Sequence, residues 1–199
     1  MSPIKKILIN KDSSCRAIWF MRQAGRHLPE FRKIRLDNKD FIELCLNSSL
    51  SSTITLQPIK RYDLDAAIIF SDILLVPYAL GQGVNFIKNK GPVLTNFNLE
   101  TFLKNDRINF SQNLSPIYKA IQITKKKLNK QKSLISFIGA PWTLIVYMLN
   151  LKENKNEINL SKVKNNKTKI NIILEKICEY LCIHIENQIN AGAEVVQIF

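Results

Sequence analysis

The 199-residue sequence predicts an α/β fold with parallel strands, and three observations point there. Short apolar runs recur at long intervals, helix-period patterns lie between them, and a loop of unusual chemistry follows each run but the last. The runs are "CRAIWFM" (15–21), "DAAIIFS" (65–71), "SLISFIG" (133–139) and "AEVVQIF" (193–199), apolar on both faces as buried parallel strands are. Between them the pattern predicts helices over 39–60, 99–104, 114–129, 141–150 and 168–190, joined by right-handed crossovers. "RQAGR" follows the first run, "SDILLVPYALG" the second and "GAPWTLIVY" the third. Chemistry at the C-terminal ends of parallel strands belongs to a β/α barrel or an open α/β sheet. Four strands are half a barrel, and a whole one takes roughly 250 residues. The Lys- and Asn-rich stretch 151–169 reads as a surface insertion or a frayed helix start. With no tandem repeat and no Gly/Ser linker, residues 1–199 read as a single domain.

Residues 133–151, "SLISFIGAPWTLIVYMLNL", carry no charge over nineteen positions, near the length that crosses a bilayer. Gly139-Ala140-Pro141 divides them into a strand-like and a helix-like half, with Pro in the first helical turn. A buried strand feeding a helix is therefore expected, and no membrane span.

The net charge of +13 and pI near 9.7 invite a nucleic-acid reading. Lys, Asn and Ile together make 70 of the 199 residues, all encoded by A/T-rich codons, and the lysines are dispersed without interleaved aromatics. Drift in composition explains that charge better than a nucleic-acid surface does. The four cysteines (15, 45, 178 and 182) form no C-x-x-C pair and no secretory leader precedes them, which predicts reduced thiols in the cytoplasm. Cys178, Cys182 and nearby His184 lie in a helix-patterned segment where small buried thiols are common, so no metal site is expected there.

Arginine is distributed differently from lysine. Five of the seven arginines fall between residues 16 and 35, four of them as Arg22, Arg26, Arg32 and Arg35. Arg is preferred where a flat, two-pronged contact to carboxylate or phosphate is made. Arg22 and Arg26 flank Gln23-Ala24-Gly25, a spacing that lets both guanidinium groups and the amides between them converge on one anion; the bland alternative is a pair of surface arginines lying over apolar neighbours. Asp72 ends an apolar strand, as either a helix N-cap or a site carboxylate. Tyr147 lies on the helix after "GAPW", where packing is its default role.

Five blocks, "RQAGRHLPEFRKIR", "TLQPIKRYDLDAAIIFSDILLVPYALGQGVNF", "KGPVL", "GAPWTLIVYM" and "AGAEVVQIF", together resemble the uroporphyrinogen decarboxylase family, in order and spacing, from about residue 15 to the end. The resemblance implies a (β/α)8 TIM barrel of which about the first half is present, the later Ser and His of the family's site having no counterpart here. It implies a homodimer, when complete, that removes CO2 from the four acetate side chains of uroporphyrinogen III without cofactor or metal. Carried over, Arg22 and Arg26 are substrate-carboxylate binders, with Gln23, Ala24 and Gly25 lining their loop. Asp72 is the carboxylate facing the pyrrole N–H groups, Tyr147 contacts the substrate, and Arg35 borders the cleft. His27 stands where the family has Tyr. The alternative is a catalytically inactive fragment that at most binds porphyrinogen or a partner chain.

Overall fold

A computed structural model describes residues 1–87, 91–154 and 157–199, which fall into two compact units. One comprises Met1–Asp72, Ser115–Phe137 and Asn187–Gln197; the other comprises Ile73–Leu114, Ile138–Glu186 and Ile198–Phe199. In chain order the elements are α1 (Pro3–Asn10), α2 (Pro29–Asp37), α3 (Phe41–Leu46), α4 (Ser48–Arg61), β1 (Ala66–Ile68), α5 (Leu75–Ala79), β2 (Val84–Ile87), β3 (Gly91–Leu94), α6 (Leu99–Lys104), α7 (Arg107–Lys127), β4 (Ser133–Ile138), α8 (Pro141–Met148), α9 (Leu160–Asn165), α10 (Lys167–Asn190) and β5 (Val195–Ile198).

The first unit is built on a sheet of order β1-β4-β5. β1 and β4 run parallel in the register Ala66↔Ser133, Ala67↔Leu134 and Ile68↔Ile135. The N–H of Glu194 donates to Leu134 O and that of Phe199 to Ile138 O, so β5 advances along β4 in the same direction. Ala66, Ala67 and Leu134 have no exposed surface, as expected of strands covered on both faces. α4 covers β1 with Ile54, which is fully buried, and α7 contributes Ala120 and Ile121. Burial is the largest single influence on the Glu194 carboxyl and pushes it up, but Lys5 and Lys125, at 2.5 and 2.8 Å, together with the Leu134 N–H outweigh it and hold the group below the usual range.

In the second unit β2 and β3 form an antiparallel hairpin, with Pro92 opposite Phe86. Proline has no N–H to give a ladder and is tolerated in such a two-stranded ribbon. Phe102, Phe110 and Tyr180 cluster here, with the rings of Phe110 and Tyr180 4.8 Å apart. The Tyr180 hydroxyl donates to Asn105 O at 2.6 Å. His184, beside Phe110, is so thoroughly buried that its pKa falls to about 3. Charging it is disfavoured in the folded state, so its contribution to stability is intact above its unfolded value near 6.5 and is lost as pH falls below that. Stability should decline by up to about 1.4 kcal/mol per pH unit from pH 6.5 downward, ahead of the carboxylates. Denaturant titrations at pH 7.5 and 5.5 check this; a His184→Leu variant with the same pH slope between those values would refute it.

Several expectations need correction. The first strand does not form over 15–21: the segment is extended, but Ile18, Phe20 and Met21 are 59%, 60% and 53% exposed. Only Ile18 makes a backbone bond to the region of β1, accepting from Asp65 N–H at 2.9 Å, because a side chain occupies the next pairing positions on that strand. The predicted helix 39–60 is two helices, divided at Asn47, whose side chain accepts from Leu50 N–H and caps α4. α7 begins seven residues before the predicted 114 and carries Pro116 inside it. α1, α2, α5 and the hairpin were not anticipated, and α9 lies within the stretch read as a surface insertion or a frayed helix start. The uncharged stretch 133–151 is β4 followed by α8, and among the described residues no helix is long and apolar enough to cross a membrane. The "KGPVL" block begins at Lys90, outside the described residues; its other four residues are β3.

Candidate active site

Gln23 organises the arginine loop. It is 6% exposed, its Nε2 donates to Ala66 O at 2.8 Å, and its Oε1 accepts from Ile68 N–H at 3.0 Å. The side-chain amide thus pairs with β1 as one residue of a neighbouring strand would. Asp65 Oδ2 accepts from Ile18 N–H at 2.7 Å and completes the attachment. The amide of Gln23 is committed to β1, so what this residue offers a ligand is the position of its neighbours.

Gly25 is required by close approach. A Cβ there would lie 2.4 Å from Leu28 Cγ, and Leu28 is itself buried. Arg26 N–H donates to Ala24 O at 3.0 Å and Leu28 N–H to Gly25 O at 2.7 Å, so the loop folds upon itself. Those amides are used internally, and an anion would be met by guanidinium groups. Arg22 and Arg26 are both exposed, and neither has an ion-pair partner among the described residues. Neighbouring His27 is exposed and bonds Tyr62 Oη through Nε2 at 3.0 Å.

Asp72 is half-buried, four residues beyond β1. The N-cap position of α5 is Leu74, whose side chain makes no capping hydrogen bond. The approach of Asp72 is held by α4. Ser51 Oγ donates to Phe70 O at 2.7 Å, and Thr55 Oγ1 accepts from Phe70 N–H at 2.8 Å, both within the core. The rings of Phe31 and Phe41 meet that of Phe70 edge-on at 6.1 and 5.8 Å. Sequence reasoning missed Ser51 and Thr55; the available signal was two hydroxyls four apart within the apolar pattern of α4.

Arg35 stacks 5.7 Å from the Phe41 centroid, and its Nη1 donates to Asn38 O and, at 2.7 Å, to Lys39 O. It therefore closes the C-terminus of α2. Cys45, fully buried, connects Arg35 and Asp72 electrostatically. Burial foremost, then the Asp72 charge, push its thiol well above the ordinary range, with Arg35 opposing. The thiol stays protonated between two opposite charges.

Tyr147 belongs to the second unit and is half-buried. Lys152 Nζ lies 4.5 Å above its ring and donates to its hydroxyl at 3.4 Å. Tyr147 lines a cavity of about 480 Å³ bounded by β3, the end of α8 and the start of α10. Cys178 and Cys182 are exposed while His184 is buried, and among the described residues no three His, Cys, Asp or Glu gather to hold a metal. All four cysteines are free thiols.

The family model described as uroporphyrinogen decarboxylase matches residues 2–199. The chain belongs to the uroporphyrinogen decarboxylase family. A uroporphyrinogen decarboxylase of Orientia tsutsugamushi is 44% identical over the whole chain and 58% of that protein. Those of Rickettsia rickettsii and Campylobacter jejuni are 45% and 43% identical, each over 92% of this chain and 53% and 54% of their own length. The chain thus spans about half the length of the curated relatives it matches. A methyltransferase from Methanosarcina mazei superposes with a TM-score of 0.64 over 84% of this chain and 50% of that one, at 17% identity, which speaks to the fold alone. The fold class is that of the family's TIM barrel, seen here as a mixed α/β chain with a partial parallel sheet.

Proposed function

We propose that this member of the uroporphyrinogen decarboxylase family contributes the anion-binding loop and the charge-stabilising carboxylate of a carboxy-lyase acting on uroporphyrinogen III to give coproporphyrinogen III. The observation that carries the reading is the pair Arg22 and Arg26, exposed and without carboxylate partners among the described residues, on a loop that Gln23 fastens to β1. A substrate with eight carboxylates complements such a pair. Ala24 and Gly25 shape the loop, Arg35 borders the site from α2, and Tyr147 is a further substrate contact.

Loss of CO2 needs somewhere for the electron pair to go. Protonation of a pyrrole α-carbon creates an iminium-like ring that accepts the pair as the C–C bond breaks; the methylene carbon then takes a proton to become methyl, and the ring proton leaves. Asp72, half-buried beside an aromatic cluster, opposes that positive charge as it develops. The chemistry asks for no metal or organic cofactor. Homodimeric assembly and a cytoplasmic setting are part of the same proposal and rest on the family resemblance.

The test is steady-state decarboxylation of uroporphyrinogen by a chain of family length that carries these residues. Arg22→Lys and Arg26→Lys should each raise KM about tenfold or more although charge is kept, because an ammonium cannot make the two-pronged contact. Normal KM in both variants would remove the loop from the binding role.

A further inference from the structure

We infer that Cys178 and Cys182 form a two-thiol site on the exposed face of α10 that captures a soft trivalent centre, by chemical class a monosubstituted organoarsenical. Both residues are exposed and both are free thiols. They lie four apart in the 24-residue α10, one above the other on one face, with Cβ atoms about 5–6 Å apart. The helix is fixed from its other side, where Ile173, Ile177, Tyr180 and Leu181 are buried. His184, their neighbour in sequence, is buried with that other face and takes no part. The spacing of the two thiols is thus set by a packed helix and not by a loop.

That spacing decides what can join them. A disulfide draws Cβ atoms to about 3.5–4.5 Å, closer than residues four apart come on an intact helix. Direct oxidation to an internal disulfide would have to unwind α10, whereas one interposed atom bonded to both sulfurs spans the wider gap. Zinc fits poorly, since its structural sites take four ligands and among the described residues no three His, Cys, Asp or Glu gather. The other polar groups on this face, Glu175, Glu179 and Glu186, are hard oxygen donors, and Glu179 is already engaged by Lys176 and Arg107 at 3.2 and 3.5 Å. A soft centre is left to the two sulfurs. In the capture step the two S–H bonds and the arsenic–oxygen bonding of an arsine oxide break. Two S–As bonds form, one water leaves, and arsenic remains trivalent, so no oxidant is needed. Of the remaining thiols, Cys45 is fully buried and Cys15 Sγ donates to Pro3 O at 3.7 Å. No residue of the Arg22–Arg26 loop and no residue of the Tyr147 cavity belongs to this site, which stands apart from the decarboxylase reading.

The probe is phenylarsine oxide, titrated into the reduced 199-residue chain in the presence of excess glutathione and read by intact-protein mass spectrometry. One adduct per chain is expected, with the mass of a phenylarsenic group less two hydrogens, stable to glutathione and removed by ethanedithiol. Cys178→Ser and Cys182→Ser should each weaken retention about 100-fold or more, because two-point attachment becomes single. The double variant Cys182→Ser/Ile183→Cys keeps two thiols in α10 but turns one away from the shared face, and should lose the adduct as the single variants do. Cys15→Ser should bind as the parent does. Helix content by circular dichroism should be unchanged by the adduct. Glutathione-stable adduct in either single variant at α10 would overturn the proposal, and so would its loss in Cys15→Ser. Equal retention in the double variant would overturn the part played by the spacing, and a fall in helix content on capture would overturn the intact helix as its frame.

Discussion

Asp72→Asn is expected to lower turnover of uroporphyrinogen by about 100-fold or more while KM changes little. The amide matches the carboxylate in shape, so neither Phe70 nor the buried Cys45 need shift to accommodate it. What is lost is the negative charge that opposes a ring cation existing only along the reaction path, and deletions of that kind cost on the order of 100- to 1,000-fold in rate. Substrate carries no such cation at rest, so binding should be spared. Cys45 offers an independent readout, since the Asp72 charge helps hold its thiol up. Asp72→Asn should shift thiol reactivity toward lower pH, though burial remains the larger influence. A variant that turns over at the parental rate would return Asp72 to a structural role.

Gln23→Leu should destabilise the fold by about 2–5 kcal/mol. Leucine fills similar volume but leaves Ala66 O and Ile68 N–H buried without partners, and each unsatisfied backbone group costs roughly 1–3 kcal/mol. Gln23→Glu should also be destabilising, because it keeps an acceptor for Ile68 N–H and sets a carboxylate oxygen against the Ala66 carbonyl. Denaturant midpoints at unchanged slope measure the loss, and amide exchange at Ile68 should accelerate with it. A change within 0.5 kcal/mol would show that water replaces the side chain without cost.

The alternation of apolar runs and helix patterns was enough to place three of the four expected strands, because continuous apolar stretches such as 133–138 admit little else when both faces are covered. The first run failed for a reason outside its own composition. "CRAIWFM" has the residues of a strand, but pairing depends on what reaches β1, and Gln23 reaches it first. Short elements were also illegible: α5 has five residues, too few for a periodic signal, and α2 lies in a segment whose arginines draw attention to charge. Arg22, Arg26 and Asp72, the residues proposed for the site, stand out in the sequence because their residue types are unusual in their positions. Ser51 and Thr55 could not, since a hydroxyl within a helix commonly bonds the preceding turn, as Thr55 also does to Ser51 O at 2.8 Å.

Those two hydroxyls have a consequence for motion. A residue just past a strand end ordinarily wanders with its loop. Here the peptide of Phe70 is gripped from both sides by one helical turn, so the carboxylate two residues on is mounted on the fourteen-residue α4 as on a bracket. Its motion should follow that of the helix, and in the proposed reaction little structure would have to reorganise as charge develops in front of it. Ser51→Ala or Thr55→Val would release that grip at a distance from any reacting atom and would be felt as a slower chemical step with unaltered affinity.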